Sequence, residues 1–198
     1  MKSFTPARLR YAKLPVVSAK LRIAQLSNTV CFEGAQAFPA ERWSSLKGFA
    51  PNVLVGAASE LQRLVQRIDL QTVELPSLDH AVFVITEVGD KPLTDVLRVV
   101  FWQRFGVPVY ELYMAPGGTL VASECEAQEG WHVEPEARFA MQHGELVLQA
   151  GQDGTLRTGL KRYLEPRACA CGRTGLQILA PEDLWRSQAS APKLAAIA

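Results

Sequence analysis

Three features that would each point to a class of protein are scarce in this sequence. No apolar run approaches the roughly 18 residues that a membrane-spanning helix needs. A basic excess typical of general nucleic-acid binders is missing, because 21 Lys and Arg face 20 Asp and Glu. Four cysteines in 198 residues are too few for a disulfide scaffold. These absences favour a cytoplasmic protein that engages neither a membrane nor nucleic acid.

The composition is that of a folded protein with a buried core. Hydrophobic residues make up 48% of the chain and charged residues 21%, which argues against global disorder. The length fits one large domain or two small ones.

Both ends of the chain differ in composition from the middle. The segment 1–32 is predicted to be a basic arm, because six Lys and Arg and no acidic residue precede Glu33. We interpret it as a solvated arm or as a helix lying on the domain, with a transit peptide as the alternative. The segment 181–198 is rich in small residues and is interpreted as a tail.

Helix and strand patterns alternate in the middle of the chain. A helix is predicted from a capping box at Ser59, and the apolar run 81–85 predicts a strand covered on both faces. A second helix is predicted to have Pro92 in its first turn and to stop at Gly106, with the next strand at 107–113. Strand, helix and strand with such short links indicate a right-handed βαβ unit with parallel strands.

The predicted fold class is α/β, with a partial parallel sheet and flanking helices in residues 33–116. From 117 to 180 the pattern changes to short stretches that partly alternate with period two, separated by glycine-containing turns. We therefore predict a β-rich lobe, appended to the α/β layer and held together by a metal.

Three cysteines and one histidine are the residues of this lobe that could hold that metal. Cys125 and His132 flank a turn at Gly130, and Cys169 and Cys171 follow much later in the chain. Zinc accepts three thiolates and one imidazole in a tetrahedron, and soft sulfur ligands favour it over magnesium or calcium. Because four protein ligands leave no open position, such a zinc would be structural.

Another interpretation of the same residues stays open at this point. The cysteines can be reduced, buried, hydrophobic side chains, with His132 a surface residue. A disulfide between Cys169 and Cys171 would close a very small, strained ring. Three acidic residues near the predicted metal are interpreted as solvation or as outer partners of the cation. They are Glu124, Glu126 and Glu129.

Several segments, taken in order, resemble the phenylacetate–CoA ligase branch of the adenylate-forming enzymes. Gly-Asp-Lys-Pro-Leu is similar to a turn of that family, and Glu-Cys-Glu with the later His and Cys-Ala-Cys-Gly is similar to its structural zinc site. The resemblance covers roughly residues 50–180, in the segments 89–93, 106–113, 123–126, 130–132, 144–148 and 169–174. It implies an adenylate-forming fold and a structural zinc at Cys125, His132, Cys169 and Cys171.

The resemblance also implies an activity, with residues to carry it. Members activate a carboxylic acid with ATP and pass the acyl group to coenzyme A. A nucleotide or acyl cleft would lie near Gly89, Tyr113 and Gly117.

Four parts of the family's ATP machinery are altered or missing in this sequence. Gly117 stands where a metal-holding glutamate is expected, and Leu160 stands near the position of the ribose-binding aspartate. Residues 1–50 contain no Gly-rich phosphate loop. Only a short tail follows residue 180, where the lobe with the catalytic lysine would lie. ATP or AMP binding is therefore doubtful, and no catalytic residue is assigned.

Two functions follow from the match and its departures. The first is a catalytically degenerate ligase homologue that acts as a zinc-stabilised binding or assembly module. The second is an active ligase-related enzyme, or half of a split ligase, that binds nucleotide or acyl substrate. Because a shortened chain would leave apolar sheet surface uncovered, we expect self-association or a partner protein.

Overall fold

A computed structural model describes residues 21–26, 32, 34–150 and 154–181. Its helices are α1 (Leu46–Phe49), α2 (Ala58–Asp69) and α3 (Asp95–Phe105), and a 3₁₀ turn at Ala40–Ser45 precedes α1. The strands of the first half are β1 (Ile23–Gln25), β2 (Ala35–Ala37), β3 (Val53–Ala57), β4 (Ala81–Glu87) and β5 (Val109–Ala115). The later strands are β6 (Thr119–Ser123), β7 (Trp131–Val133), β8 (Phe139–Gln142), β9 (Glu145–Ala150), β10 (Gly154–Arg157), β11 (Tyr163–Ala168) and β12 (Thr174–Leu179).

One nine-stranded sheet links the two halves of the described chain. Its order is β11-β12-β7-β6-β5-β4-β3-β1-β2. The strands from β2 to β5 pair in parallel, whereas β5, β6, β7, β12 and β11 pair antiparallel. A separate antiparallel sheet contains β10, β9 and β8. The α/β class with a partial parallel sheet is confirmed. The late strands, predicted as an appended lobe, largely continue the first sheet.

The predicted βαβ unit is present as β4, α3 and β5. The two strands are parallel, with Phe83 opposite Tyr110, and Gly106 ends the helix in the left-handed conformation with φ of 71°. The helix begins later than predicted, at Asp95 rather than near Pro92, because Thr94 caps it by accepting a hydrogen bond from the Leu97 N–H at 3.3 Å.

The start of α2 also differs from the predicted capping box at Ser59. The helix begins two residues earlier, with Ala57 rather than Ser59 at the N-cap, which puts Glu60 at the position from which a side chain reaches back. The Glu60 carboxylate accepts a hydrogen bond from the Ala57 N–H at 2.9 Å. The predicted apolar face is confirmed, since Leu61, Leu64 and Val65 are buried.

The end segments are only partly described. Ile23–Gln25, within the predicted arm, form β1 inside the sheet between β2 and β3. A three-residue strand carries too short an apolar pattern to stand out beside six basic residues. The rest of the basic arm up to residue 20, Cys31 and residues 182–198 of the tail lie outside the described residues.

The described core consists of three apolar clusters. Helices α2 and α3 pack on one face of the parallel strands, with Leu61, Leu64 and Phe101 completely buried. A second cluster, around Phe83 and Leu112, consists of residues on the opposite face of the sheet. A third, around Trp131, joins the antiparallel strands to the small sheet. None of the described helices is long and apolar enough to span a membrane.

Candidate metal centre

The predicted ligands come together where three neighbouring strands end or begin. Cys125 follows β6, His132 lies in β7, and Cys169 and Cys171 occupy the turn between β11 and β12. Because β6, β7 and β12 are adjacent in the sheet, segments more than 30 residues apart meet. The sulfur and nitrogen ligand atoms of these four residues all lie within 4.8 Å of one another.

The separations between ligand atoms fit a tetrahedral zinc ion. Zinc–sulfur bonds of about 2.3 Å and zinc–nitrogen bonds of about 2.05 Å imply S···S edges of about 3.8 Å and S···N edges of about 3.6 Å. The sulfurs of Cys125 and Cys169 are 3.6 Å apart, and the Cys171 sulfur is 3.5 Å from His132 Nε2. A disulfide would need about 2.05 Å, so the three thiols are free. The residue types and these two separations therefore fit zinc.

Two glycines shape the loops that carry the ligands. Gly172 adopts φ of 85° in the Cys169 turn, where its N–H donates to the Cys169 carbonyl at 2.9 Å. Gly130 has φ of 120°, and a Cβ there would lie 2.8 Å from the Ile178 carbonyl oxygen. Backbone approach of this closeness excludes other residues just before β7. The turn predicted at Gly130 is confirmed.

Burial and a neighbouring arginine set the electrostatics of the ligands. Burial raises the pKa of the Cys169 thiol to about 12. Burial also opposes ionisation of Cys171, but hydrogen bonds from the backbone and side chain of Arg173 outweigh it and lower the pKa of that thiol. Burial and then Arg173 lower the pKa of His132, which favours the neutral, ligating imidazole. A bound dication would deprotonate the thiols outright.

The three acidic residues near the site have separate roles, and only one of them is deeply buried. Glu124 forms a bidentate ion pair with Arg98, at 2.8 and 2.9 Å, and accepts a hydrogen bond from the Glu111 N–H at 2.7 Å. Glu129 lies 3.8 Å from the Cys169 sulfur and 3.4 Å from Arg167. Glu126 is exposed. The predicted solvation role therefore does not hold for Glu124, because its carboxylate anchors the loop that carries Cys125.

Sequence reasoning missed Arg98 in this network. Its side chain projects from α3 and also donates to the Val109 carbonyl at 2.6 Å, which ties the helix to the start of β5. Gln128 donates to the same carbonyl at 3.0 Å from the loop beyond Cys125. The sequence indicated a buried arginine only by placing Arg98 between apolar residues of a helix. Its partner, Glu124, lies 26 residues away and could not be identified from that pattern.

The residues predicted to form a nucleotide or acyl cleft lie at the carboxyl ends of β4 and β5. Gly89 follows β4, and the adjacent Val88 N–H donates to the Met114 carbonyl at 2.8 Å. Gly117 lies in the turn between β5 and β6 with φ of 86°. Tyr113 is completely buried, and its ring stacks on Trp131 with centroids 4.7 Å apart. A ligand would reach the Tyr113 side chain only if the core opened.

A buried glutamate lies beside this region and was not predicted. Glu111 is 1% exposed, and one carboxylate oxygen accepts hydrogen bonds from the Thr86 hydroxyl and from the Leu93 N–H. Burial raises its pKa above the ordinary 4.5, with Glu124 adding to the effect while Thr86, Leu93 and Arg162 oppose it.

This raised pKa predicts how stability changes with pH. As the pH rises above about 4.5, the unfolded chain ionises Glu111 while the folded chain still holds the proton, so the free energy of unfolding falls until the folded-state pKa is passed. Glu111→Gln should reduce that fall, because a Gln oxygen can accept both hydrogen bonds. Denaturant titrations of both proteins at several pH values above 4.5 measure this fall in the free energy of unfolding.

Glu145→Gln is the control for this pH dependence. A hydrogen bond from Arg157, and to a smaller extent one from the Gly159 N–H, lowers the Glu145 pKa. Ionisation of Glu145 therefore raises the free energy of unfolding as the pH rises, whereas ionisation of Glu111 lowers it. An unchanged pH profile in Glu111→Gln would contradict the prediction.

Solved structures match the fold of this chain, although no family model and no curated protein matches it. An open conformation of 2-hydroxyisobutyryl-CoA ligase, in complex with 2-HIB-AMP and CoA, superposes with a TM-score of 0.57 at 14% identity. The superposition covers 80% of this chain and 44% of that one. The R395G mutant of coronafacic acid ligase from Pectobacterium brasiliense gives 0.51 at 14% identity, over 81% of this chain and 39% of that one.

The chain thus spans less than half the length of either solved structure. At this identity the likeness is one of fold alone, and it does not distinguish the phenylacetate–CoA ligase branch from others. The described chain has the fold of part of these two ligases.

Proposed function

We propose that this chain is a zinc-stabilised binding or assembly module built on the fold of an adenylate-forming ligase, related to the phenylacetate–CoA ligase branch. The convergence of three thiols and one imidazole within 4.8 Å carries the proposal. Cys125, His132, Cys169 and Cys171 would hold the ion, and with four protein ligands its chemistry would be structural. Free thiols in the site suit the reducing cytoplasm.

The surroundings of the predicted cleft support a loss of ligase chemistry. Gly117 offers no side chain to a magnesium ion, which prefers carboxylate oxygens. Leu160, near the ribose-binding position of the family, is buried in the apolar cluster around Trp131 and cannot accept from a hydroxyl. Tyr113 is enclosed in the same cluster.

An exposed apolar face of α3 supports the assembly part of the proposal. Val96 is 73% exposed and Trp102 56%, with Val99 between them at 49%. Valine has a lower helix propensity than unbranched residues, so helix stability does not explain why Val96 and Val99 occupy exposed positions. We propose that a second copy of the chain covers this face.

The second candidate function is one half of a split ligase, or an active relative. The match to two ligases, one of them a CoA ligase, over less than half of each favours it. In that case the cleft near Gly89, Tyr113 and Gly117 would bind nucleotide or acyl substrate, completed by another chain.

Metal analysis and calorimetry on one preparation test the proposal. Protein purified without added metal should carry one zinc per chain, and titration with ATP, AMP and aryl acids should give no heat at millimolar ligand. Light scattering should show a species larger than the monomer. Micromolar nucleotide binding would favour the ligase candidate, zinc near zero would defeat the metal site, and a strict monomer would defeat the self-association.

A further inference from the structure

A row of side chains crosses the sheet beside the metal centre. His132 in β7 lies opposite Ser123 of β6 on one side and opposite Gln177 of β12 on the other. Directly opposed residues of antiparallel strands share a face, with Cβ atoms about 5 Å apart. His132 therefore has two polar neighbours on the face that carries the metal ligands.

Gln177 is the unusual member of this row. Its side chain is 1% exposed, and neither its amide oxygen nor its amide nitrogen has a hydrogen-bond partner within the described part of the chain. Leaving a buried amide without partners costs about 1–3 kcal/mol, so a protein retains one where it has a use.

The orientation of His132 indicates that use. Its Nε2 points at the Cys171 sulfur, 3.5 Å away, which leaves Nδ1 for a neighbour on the sheet. A metal-ligating histidine almost always donates its second N–H to an acceptor, which fixes the tautomer and the ring orientation. The Ser123 hydroxyl already has a partner, since it donates to Glu134 at 3.2 Å, although its oxygen keeps lone pairs that can accept. Both amide atoms of Gln177 lack a partner within the described residues, which makes Gln177 the first candidate acceptor and Ser123 the alternative.

We propose that Gln177 is a positioning residue for the metal centre, its amide oxygen accepting the Nδ1–H of His132 when Nε2 binds the ion. This inference rests on the proposed zinc site. It assigns to Gln177 a role in metal affinity, beyond its place in β12.

Competition for zinc against a chromogenic chelator tests the proposal. Gln177→Leu should bind zinc roughly 10–100-fold more weakly, which is the usual effect of losing such a partner. Gln177→Glu retains an accepting oxygen and should restore affinity close to that of the wild type. In the cobalt-loaded protein, the visible absorption bands should shift in Gln177→Leu and return towards wild type in Gln177→Glu.

Two matched variants separate positioning from a general effect of burial. His80→Asn removes another buried polar atom that has no partner among the described residues, the Nε2 just before β4, three strands away from β7 in the sheet, and should leave zinc affinity unchanged. Ser123→Ala removes the other neighbour of His132 and should also leave it unchanged.

The outcomes distinguish this inference from the proposed function. Unchanged zinc affinity and cobalt bands in Gln177→Leu would overturn the role of Gln177 while the zinc site stood. Weakening by Ser123→Ala alone would transfer the role to Ser123. Wild-type protein that binds no zinc would overturn both proposals. Should Gln177→Leu fail to fold, a Gln177→Glu protein that folds but loses zinc would contradict the inference.

Discussion

Replacing Cys125 with serine should abolish zinc binding and lower stability more than any other single change at the site. Cys125 is completely buried, and its sulfur lies 3.6 Å from that of Cys169, so no other side chain can take its place. If free zinc exceeds the dissociation constant about a thousandfold, binding contributes about 4 kcal/mol to folding. For a chain of this length that corresponds to about 10 °C in Tm, measured by thermal unfolding followed by circular dichroism.

A strong chelator and a second cysteine provide the controls for this prediction. Chelator should lower the Tm of the wild type to near that of Cys125→Ser and should leave the variant unchanged. Cys31→Ser makes the same chemical change at a cysteine to which we assign no role, and it should retain one zinc per chain. Equal zinc content in wild type and Cys125→Ser would mean that the four residues do not form one site.

The four members of the Cys/His cluster were predictable because the choice depends on residue type and order. Thiols and imidazoles are few in this chain, so the set Cys125, His132, Cys169 and Cys171 could be selected without knowledge of the fold. The way they meet was not predictable, because it requires β12 to pair with β7, placing Gln177 opposite His132. Local sequence patterns do not encode pairings between strands that are 40 residues apart.

In the fold, too, the elements with strong local patterns were predicted, whereas the pairing of distant strands was not. Strong local patterns predicted β4, α3 and β5, and Gly106 marked the end of the helix as observed. Continuation of the sheet through β6, β7, β12 and β11 was missed, since short strands with turns are equally compatible with a separate lobe. The burial of Glu111 in β5, and the ion pair of Glu124 just after β6, were missed for a related reason. A carboxylate is interpreted as solvated until its partners, here Thr86 and Arg98, are known.

The ion pair between Arg98 and Glu124 gives the second large prediction. Its side chains are only 20% and 9% exposed, and Arg98→Met would leave the Glu124 carboxylate buried without its cation. Removing one partner of a buried pair typically costs about 3–5 kcal/mol, so we expect a loss near 3 kcal/mol in denaturant unfolding. Zinc affinity should fall as well, because Glu124 directly precedes Cys125.

Arg104→Met is the matched control, since it removes an arginine from the same helix. Its ion pair with Asp69 has side chains 36% and 60% exposed, and such pairs contribute at most about 1 kcal/mol. Adding Glu124→Gln to Arg98→Met should recover part of the loss, because the glutamine removes the stranded charge and keeps an acceptor for the Glu111 N–H. If Arg98→Met were no more harmful than Arg104→Met, the pair would not anchor the loop, and the position of Cys125 would depend on the metal alone.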